Sequence, residues 1–330
     1  MNVRNAMLLA PNQPPARFYD GGAQIALLRG EDNWHDHTPE DWLGSVTAVR
    51  GQASSGKSRL ADGELLEDAI AADPIAWLGA KHVERWGADP MLLVKLLDAG
   101  ERLPVHAHPS DDFAAARVGT RHGKTEAWYI LNGGTVHLGL REAVTVGRLR
   151  ELAKFGRGGI LLSAMNEFDV RAGDTILVPA GVLHAIGAGT FLVEVQQPED
   201  LSILVEWEGF AIDGARDGHL GLGFDSAVDA VSTDALTAEE LRGLIGRGRR
   251  TGSLLPTAAD PFFRLDREEG TASIARGFAV VFAESGELRI VGTDTDLRVA
   301  SGRAAIVTAG AGDWRLTTTG SALIARPPRP

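Results

Sequence analysis

Val105-His-Ala-His-Pro109, Glu126-Ala-Trp-Tyr-Ile-Leu131 and Gly173-Asp-Thr-Ile-Leu-Val-Pro-Ala-Gly-Val-Leu-His184 are the stretches that decide how this chain is read. In a β-strand, side chains at i and i+2 share a face, so His106 and His108 can turn their imidazoles toward one ion. Glu126 shares a face with Trp128 and Ile130. A carboxylate on such an apolar face is costly unless something pairs with it, and a metal would serve. Gly173-Asp174 turns the chain into a strand, Pro179 and Gly181 form a tight turn, and His184 enters the strand that follows. His106, His108, Glu126 and His184 are thus candidate ligands of one divalent metal.

Working outward, the remaining sequence has an all-β texture. Its 330 residues include 40 glycines, and the apolar runs are mostly short and bounded by Gly, Asp or Pro. Three stretches read as helical. Residues 145–155 place Val146, Leu149, Leu152 and Ala153 on one face. Thr237-Ala-Glu-Glu240 is a capping box opening a helix over 237–245 with Leu241, Leu244 and Ile245. Residues 65–78 form a third, interrupted at Pro74. The expected organisation is an N-terminal metal-binding barrel over 1–210 with the helical insertion near 145–155. A linker over 211–255 and a small β-barrel over 256–330 follow. This last unit has no histidine and is expected to be metal-free.

Composition excludes several functions. A formal charge of −11 argues against nucleic acid or an anionic membrane as partner. The basic stretch Arg247-Gly248-Arg249-Arg250 is short and reads as a solvated helix end. The absence of cysteine removes disulfides, thiolate metal sites and cysteine nucleophiles. No apolar run approaches the ~20 residues that span a bilayer. Residues 1–15 lack a signal-peptide pattern, so a cytoplasmic location is expected.

The strand–turn–strand unit ending at His184 resembles the second signature of the cupin superfamily, and His-x-His with its downstream Glu resembles the first. Residues 42–206 resemble the type I phosphomannose isomerases. The matching segments are Leu92-Leu-Val-Lys-Leu-Leu-Asp-Ala99, Val105 to Pro109, Gly123-Lys-Thr-Glu-Ala-Trp-Tyr-Ile-Leu131, Gly173 to Ile186 and Val193-Glu-Val-Gln-Gln197. The resemblance implies a mainly β fold of two cupin-type (jelly-roll) barrels with helical insertions. It implies a zinc-dependent aldose–ketose isomerase interconverting mannose 6-phosphate and fructose 6-phosphate. Iron, manganese or nickel also suit a three-His, one-Glu set. Glu194 is then the base, Lys124 a catalytic partner, and Lys95 faces the substrate.

The chain departs from the family pattern at three positions. His106 replaces the usual Gln ligand, and Pro104 replaces a Ser associated with phosphate. Leu204 stands ten residues after Glu194, where the family carries a catalytic Arg. Either Arg117, Arg121 or Lys124 supplies the missing charge, or the sugar is unphosphorylated. The expected partner is accordingly a small sugar or sugar phosphate. The rival readings are a redox cupin (an oxygenase) and a non-catalytic sugar-binding cupin.

Two other motifs compete for attention. Gly51-Gln-Ala-Ser-Ser-Gly-Lys-Ser58 matches the phosphate-loop pattern, but Asp62-Gly63 breaks the helix that such a loop needs. It is expected to be an exposed hairpin or loop. His35 and His37 lie in a polar loop, and His122 precedes Glu126 near the expected entrance; neither place marks a ligand.

Overall fold

The computed structural model describes residues 5–15, 17–32, 34–248 and 250–330; residue 249, within the basic stretch 247–250, and residues 1–4 of the leader reading lie outside the described residues. The chain is mainly β and forms three antiparallel sheets. One runs in the order Ile245–Gly246, Thr175–Val178, Glu126–Asn132, Phe191–Gln196, Leu93–Asp98 and Glu40–Leu43. A second runs Ile203–Leu204, His106–Ala107, His184–Ile186, Gly134–Leu140 and Met165–Val170. These two face each other across a core that includes Trp128, Ile130, Leu138, Ile176, Val178 and Ile186. The third sheet curls around its own core of Val281, Leu288, Ile290, Trp314, Leu316 and Ile324.

The first sheet is covered on both faces. Along Leu93–Asp98, Leu97 joins the core it shares with the second sheet. Val94 and Leu96 turn the other way and meet Val280, Phe282, Ile306 and Leu323 of the third sheet. Burial on both faces explains why this strand reads as an apolar run rather than an alternation. It also makes Lys95, only 2% exposed, a lysine inside a barrel.

The sheets do not follow the chain segment by segment. Ala6–Leu8 pairs with Ala304–Val307, so the start of the chain completes the C-terminal sheet. Ile245–Gly246 pairs with Ile176 and Thr175, returning part of the expected linker to the half that carries His106, His108 and His184. Strands of two or three residues carry too few alternations to be read locally.

The helices form largely where the sequence places them. The Thr145 side chain caps Val146–Lys154, which buries Leu149, Leu152 and Ala153. Val146 is 42% exposed, so the buried face begins a turn later than expected. The capping box of Thr237 and Glu240 opens Ala238–Leu244, but Ile245 leaves the helix as an extended residue and starts a strand. Asp73 ends Leu66–Ala72, and its side chain caps Pro74–Leu78. No helix among the described residues is long and apolar enough to cross a membrane.

The phosphate-loop look-alike is structural. Its next helix begins only at Leu66. Gly56 has φ +89°, and a Cβ there would lie 2.7 Å from the Trp42 ring. Ser58 Oγ accepts from the Ser45 backbone N–H at 3.0 Å, and Lys57 pairs with Glu67 at 2.6 Å. The glycine lets the loop lie on Trp42, and the serine is buried rather than exposed. Because the Lys57–Glu67 pair is near the surface, Lys57→Ala should change unfolding free energy by about 1 kcal/mol or less in urea titrations. Calorimetric titration with ATP should give the same heats in the wild type and in Lys57→Ala.

Candidate metal centre and substrate cavity

Cross-strand pairing builds the histidine cluster. His106 lies opposite His184 on one neighbouring strand and opposite Leu204 on the other. The turn before His184 is stitched down by the Gly181 backbone N–H, which donates to the His108 carbonyl at 2.7 Å. The ring centroids of His106 and His184 are 4.0 Å apart, and candidate ligand atoms of His106, His108 and His184 lie within 4.8 Å of one another.

Their hydrogen bonds select one tautomer. The Nδ1–H groups of His106, His108 and His184 donate to the carbonyls of Pro104, Leu201 and Val182, at 2.8, 2.7 and 2.9 Å. Each Nε2 therefore keeps its lone pair, and those of His108 and His184 are buried with no hydrogen-bond partner. Burial pushes His108 down to about 4, His184 to about 3, and His106 well below its usual range. Three neutral imidazoles presenting unpartnered lone pairs fit a divalent metal.

Glu126 closes the set. Its Oε2 lies 3.0 Å from His108 Nε2, and its Oε1 lies 3.5 Å from His184 Nε2. Tetrahedral ligands around zinc, with bonds of ~2.0–2.1 Å, stand roughly 3.3 Å apart. The Trp128 indole N–H donates to Oε1 at 2.9 Å, which orients the carboxylate. Burial alone would raise this carboxyl, but Lys124, with Nζ at 3.0 Å, and His108 carry it well below the usual range.

Beside the histidines lies a cavity of about 50 Å³, lined by His106, Lys95, Lys124, Glu126, Glu194 and Leu204 among others. Glu194 sits opposite Lys95 on one neighbouring strand and opposite Trp128 on the other. Lys95 Nζ is 3.3 Å from Glu194 Oε1, and Lys124 Nζ is 3.9 Å from it. Burial and the nearby Glu126 raise the Glu194 carboxyl above its usual range, against both lysines. Lys124 would be lowered by burial, but Glu126 and Glu194 hold it above the ordinary lysine value.

Sequence reasoning missed part of this wall. Glu40 bridges Lys95 at 3.6 Å and Arg17 at 3.0 Å, and accepts from the Tyr19 hydroxyl at 2.5 Å and the Trp42 indole at 2.6 Å. Arg17 also reaches Asp200 at 3.5 Å. Arg17, Asp200, Ser202 and Leu204 continue into an outer cavity of about 360 Å³, where Arg50 and Arg216 lie. Arg17 and Tyr19 sit in a non-periodic segment that signals nothing locally. The inward Glu40 and Trp42 were legible as an i, i+2 pair on one strand.

Two expected substrate contacts are elsewhere. Arg121 turns to Asp89 at 3.3 Å and to the Trp86 carbonyl, and Arg117 is exposed on the turn Ala114–Val118. Neither lines the cavity. The chain leads from this turn into Glu126, but Asp89 draws both Arg121 and His122 away, the latter at 2.7 Å.

No protein-family model matches the chain. It is 36% identical over 192 residues to the mannose-6-phosphate isomerase of Streptococcus mutans, a match covering 56% of either chain. It is 37% identical over 112 residues to mannose-6-phosphate isomerase ManA of Bacillus subtilis, covering 33% of this chain and 34% of that one. The chain thus matches about half the length of the first relative and a third of the second. Structural similarity extends further. An Archaeoglobus fulgidus protein assigned as a mannosephosphate isomerase superposes with TM-score 0.77 at 21% identity, covering 100% of both chains. The apo mannose 6-phosphate isomerase of Salmonella typhimurium gives TM-score 0.77 at 16% identity, covering 99% of this chain and 100% of that one. Over 56% of its length the chain is thus similar in sequence to a mannose-6-phosphate isomerase, and over its whole length it shares the fold of solved mannosephosphate isomerase structures.

Proposed function

We propose that this protein is a metal-dependent aldose–ketose isomerase acting on a hexose, the reaction class for which its relatives are named. The observation that carries this reading is Glu194, a buried carboxylate held between Lys95 and Lys124 on the wall shared with the histidine cluster. His106, His108, Glu126 and His184 would hold the metal, and zinc suits them, as do iron, manganese or nickel. When bound, such an ion supplies Lewis acidity to sugar oxygens beside it.

The chain's own groups account for the proton. Moving a carbonyl from C1 to C2 needs a base that takes a proton from the carbon beside the carbonyl and returns it to the neighbour. Glu194 Oε1 is buried without a hydrogen-bond donor and faces this task. Burial and Glu126 raise its affinity for the proton, while Lys95 and Lys124 keep its charged form accessible. Lys124 is placed to donate to a sugar oxygen. Leu97, Leu103 and Ile186 line the same cavity and keep water from the reacting carbons.

One observation favours an unphosphorylated hexose. Leu204 lines the cavity next to His106, and Lys95, Lys124 and Arg17 each lie within 4.0 Å of a carboxylate. Among the described residues, no cation of the inner cavity is without a carboxylate neighbour. In the outer cavity Arg216 is paired with Asp217, whereas the Arg50 guanidinium donates to the Leu220 carbonyl and forms no ion pair among the described residues, its backbone N–H donating to Asp200.

His108→Ala and His184→Ala should each lose stoichiometric metal by plasma mass spectrometry while keeping the wild-type far-ultraviolet circular dichroism. Glu194→Gln should retain metal and lose ~10²–10⁴-fold in kcat, the usual contribution of a general base. The kcat/KM for mannose 6-phosphate should exceed that for mannose by less than tenfold. A larger advantage abolished by Arg50→Ala would instead assign the phosphate to the outer cavity. Absence of solvent deuterium at C1 and C2 of both sugars, with metal-loaded protein, would overturn the isomerase reading.

A further inference from the structure

A third cavity, of about 330 Å³, opens between the helices Pro74–Leu78 and Ala80–Trp86 and the C-terminal sheet. It shares no lining residue with the metal-site cavity. Its volume falls in the ~300–1,000 Å³ range of small-molecule pockets. Lys81, Arg264, Arg276 and Arg326 line it, with Leu78 and Phe278 as apolar wall.

The arginines here are partnered by backbone carbonyls. Arg264 Nε donates to the Pro327 carbonyl at 3.0 Å, and Arg276 Nε to that of Ala309 at 2.8 Å. Arg326 Nη2 donates to the carbonyls of Ala275 and Arg276 at 2.7 and 3.0 Å. Arg326 is 8% exposed, and its Nε is buried with no hydrogen-bond partner. A Cβ at Gly277, where φ is +143°, would lie 2.8 Å from Arg326 Nη2, so the glycine leaves that guanidinium its space.

Among the described residues, none of these three arginines forms an ion pair with a carboxylate. The charges of Asp266 and Asp260 act on Arg264, that of Asp266 acts on Arg326, and the Arg276 backbone N–H donates to Asp313 at 2.8 Å. The positive charges also act on one another: burial first, then Arg326 and Arg329, push Arg264 down to about 10. A surplus of guanidinium around a cavity is unexpected on a chain of net charge −11. Guanidinium groups recognise phosphate through paired, charge-assisted hydrogen bonds.

We propose that this cavity is a binding site for a small phosphate-bearing anion, separate from the sugar site. The guanidinium groups of Arg264, Arg276 and Arg326 take the phosphate, and Leu78 and Phe278 offer an apolar surface to any organic portion.

The test is calorimetric titration of the full chain with inorganic phosphate, pyrophosphate and AMP at constant ionic strength set by chloride. One site per chain with a Kd below 1 mM is expected for at least one of them. Affinity should fall tenfold or more in Arg276→Ala, whose side chain is exposed, and in Arg264→Gln. AMP binding tenfold tighter than inorganic phosphate would place an organic body against Leu78 and Phe278, whereas equal affinities would make the phosphate group itself the ligand. The melting temperature should rise with the bound anion in the wild type and not in Arg276→Ala. Absence of saturable binding for all three anions, or binding unchanged in folded Arg276→Ala and Arg264→Gln, would overturn the proposal; the second result would move phosphate binding to the sugar site.

Discussion

Charges turned into an apolar barrel have to neutralise one another, and the site is organised by that requirement. Glu40, Glu126 and Glu194 are each nearly fully buried, where an isolated carboxylate would not remain ionised. Lys95 answers two of them and Lys124 two, so the lysines bridge the carboxylates in a chain that Arg17 and Asp200 extend toward the outer cavity. Replacing Lys124 leaves Glu126 without its cation in a low-dielectric interior, and breaking a buried pair in this way costs several kcal/mol. The three imidazoles escape this demand because burial keeps them neutral.

The same requirement bears on the packing of the histidine-bearing barrel against a second one. The sheet that carries Glu40, Lys95, Glu126 and Glu194 inward carries Val94, Leu96, Tyr129 and Val193 on its other face. Phe282, Ile306 and Leu323 of the C-terminal sheet cover those residues. A closely packed interior transmits displacement, so the C-terminal sheet helps hold the register of the strands on which the carboxylates stand. Its role in the site is mechanical, and it brings no histidine.

Leu204 illustrates how one side chain alters an otherwise familiar wall. It occupies a strand of two residues beside His106 and faces the same cavity. An arginine there would add a fourth cation to a wall whose lysines and Arg17 are already committed to carboxylates. With leucine, that wall is apolar beside the histidines, and the further guanidinium groups, those of Arg50 and Arg216, lie in the outer cavity. The same economy of positive charge in the histidine-bearing half contrasts with the arginine surplus around the distant cavity of the C-terminal sheet.

The sequence by itself determined which residues share a face of one strand. The two-residue period set His106 with His108 and Glu126 with Trp128, and the Gly173–His184 turn could be read from Gly, Asp and Pro. The capping box at Thr237 was equally local. Tertiary structure alone decided which faces meet, and therefore which charges are spent. Arg17 and Glu40 are distant in sequence from Lys95 and Asp200, and no local pattern encodes their contacts. Arg117 and Arg121 lie close to Lys124 along the chain, yet the turn Ala114–Val118 and the pull of Asp89 separate them from it in space. The physical reason is that backbone geometry fixes side-chain direction within a strand, whereas electrostatic compensation depends on distance across strands, which only the folded barrel sets.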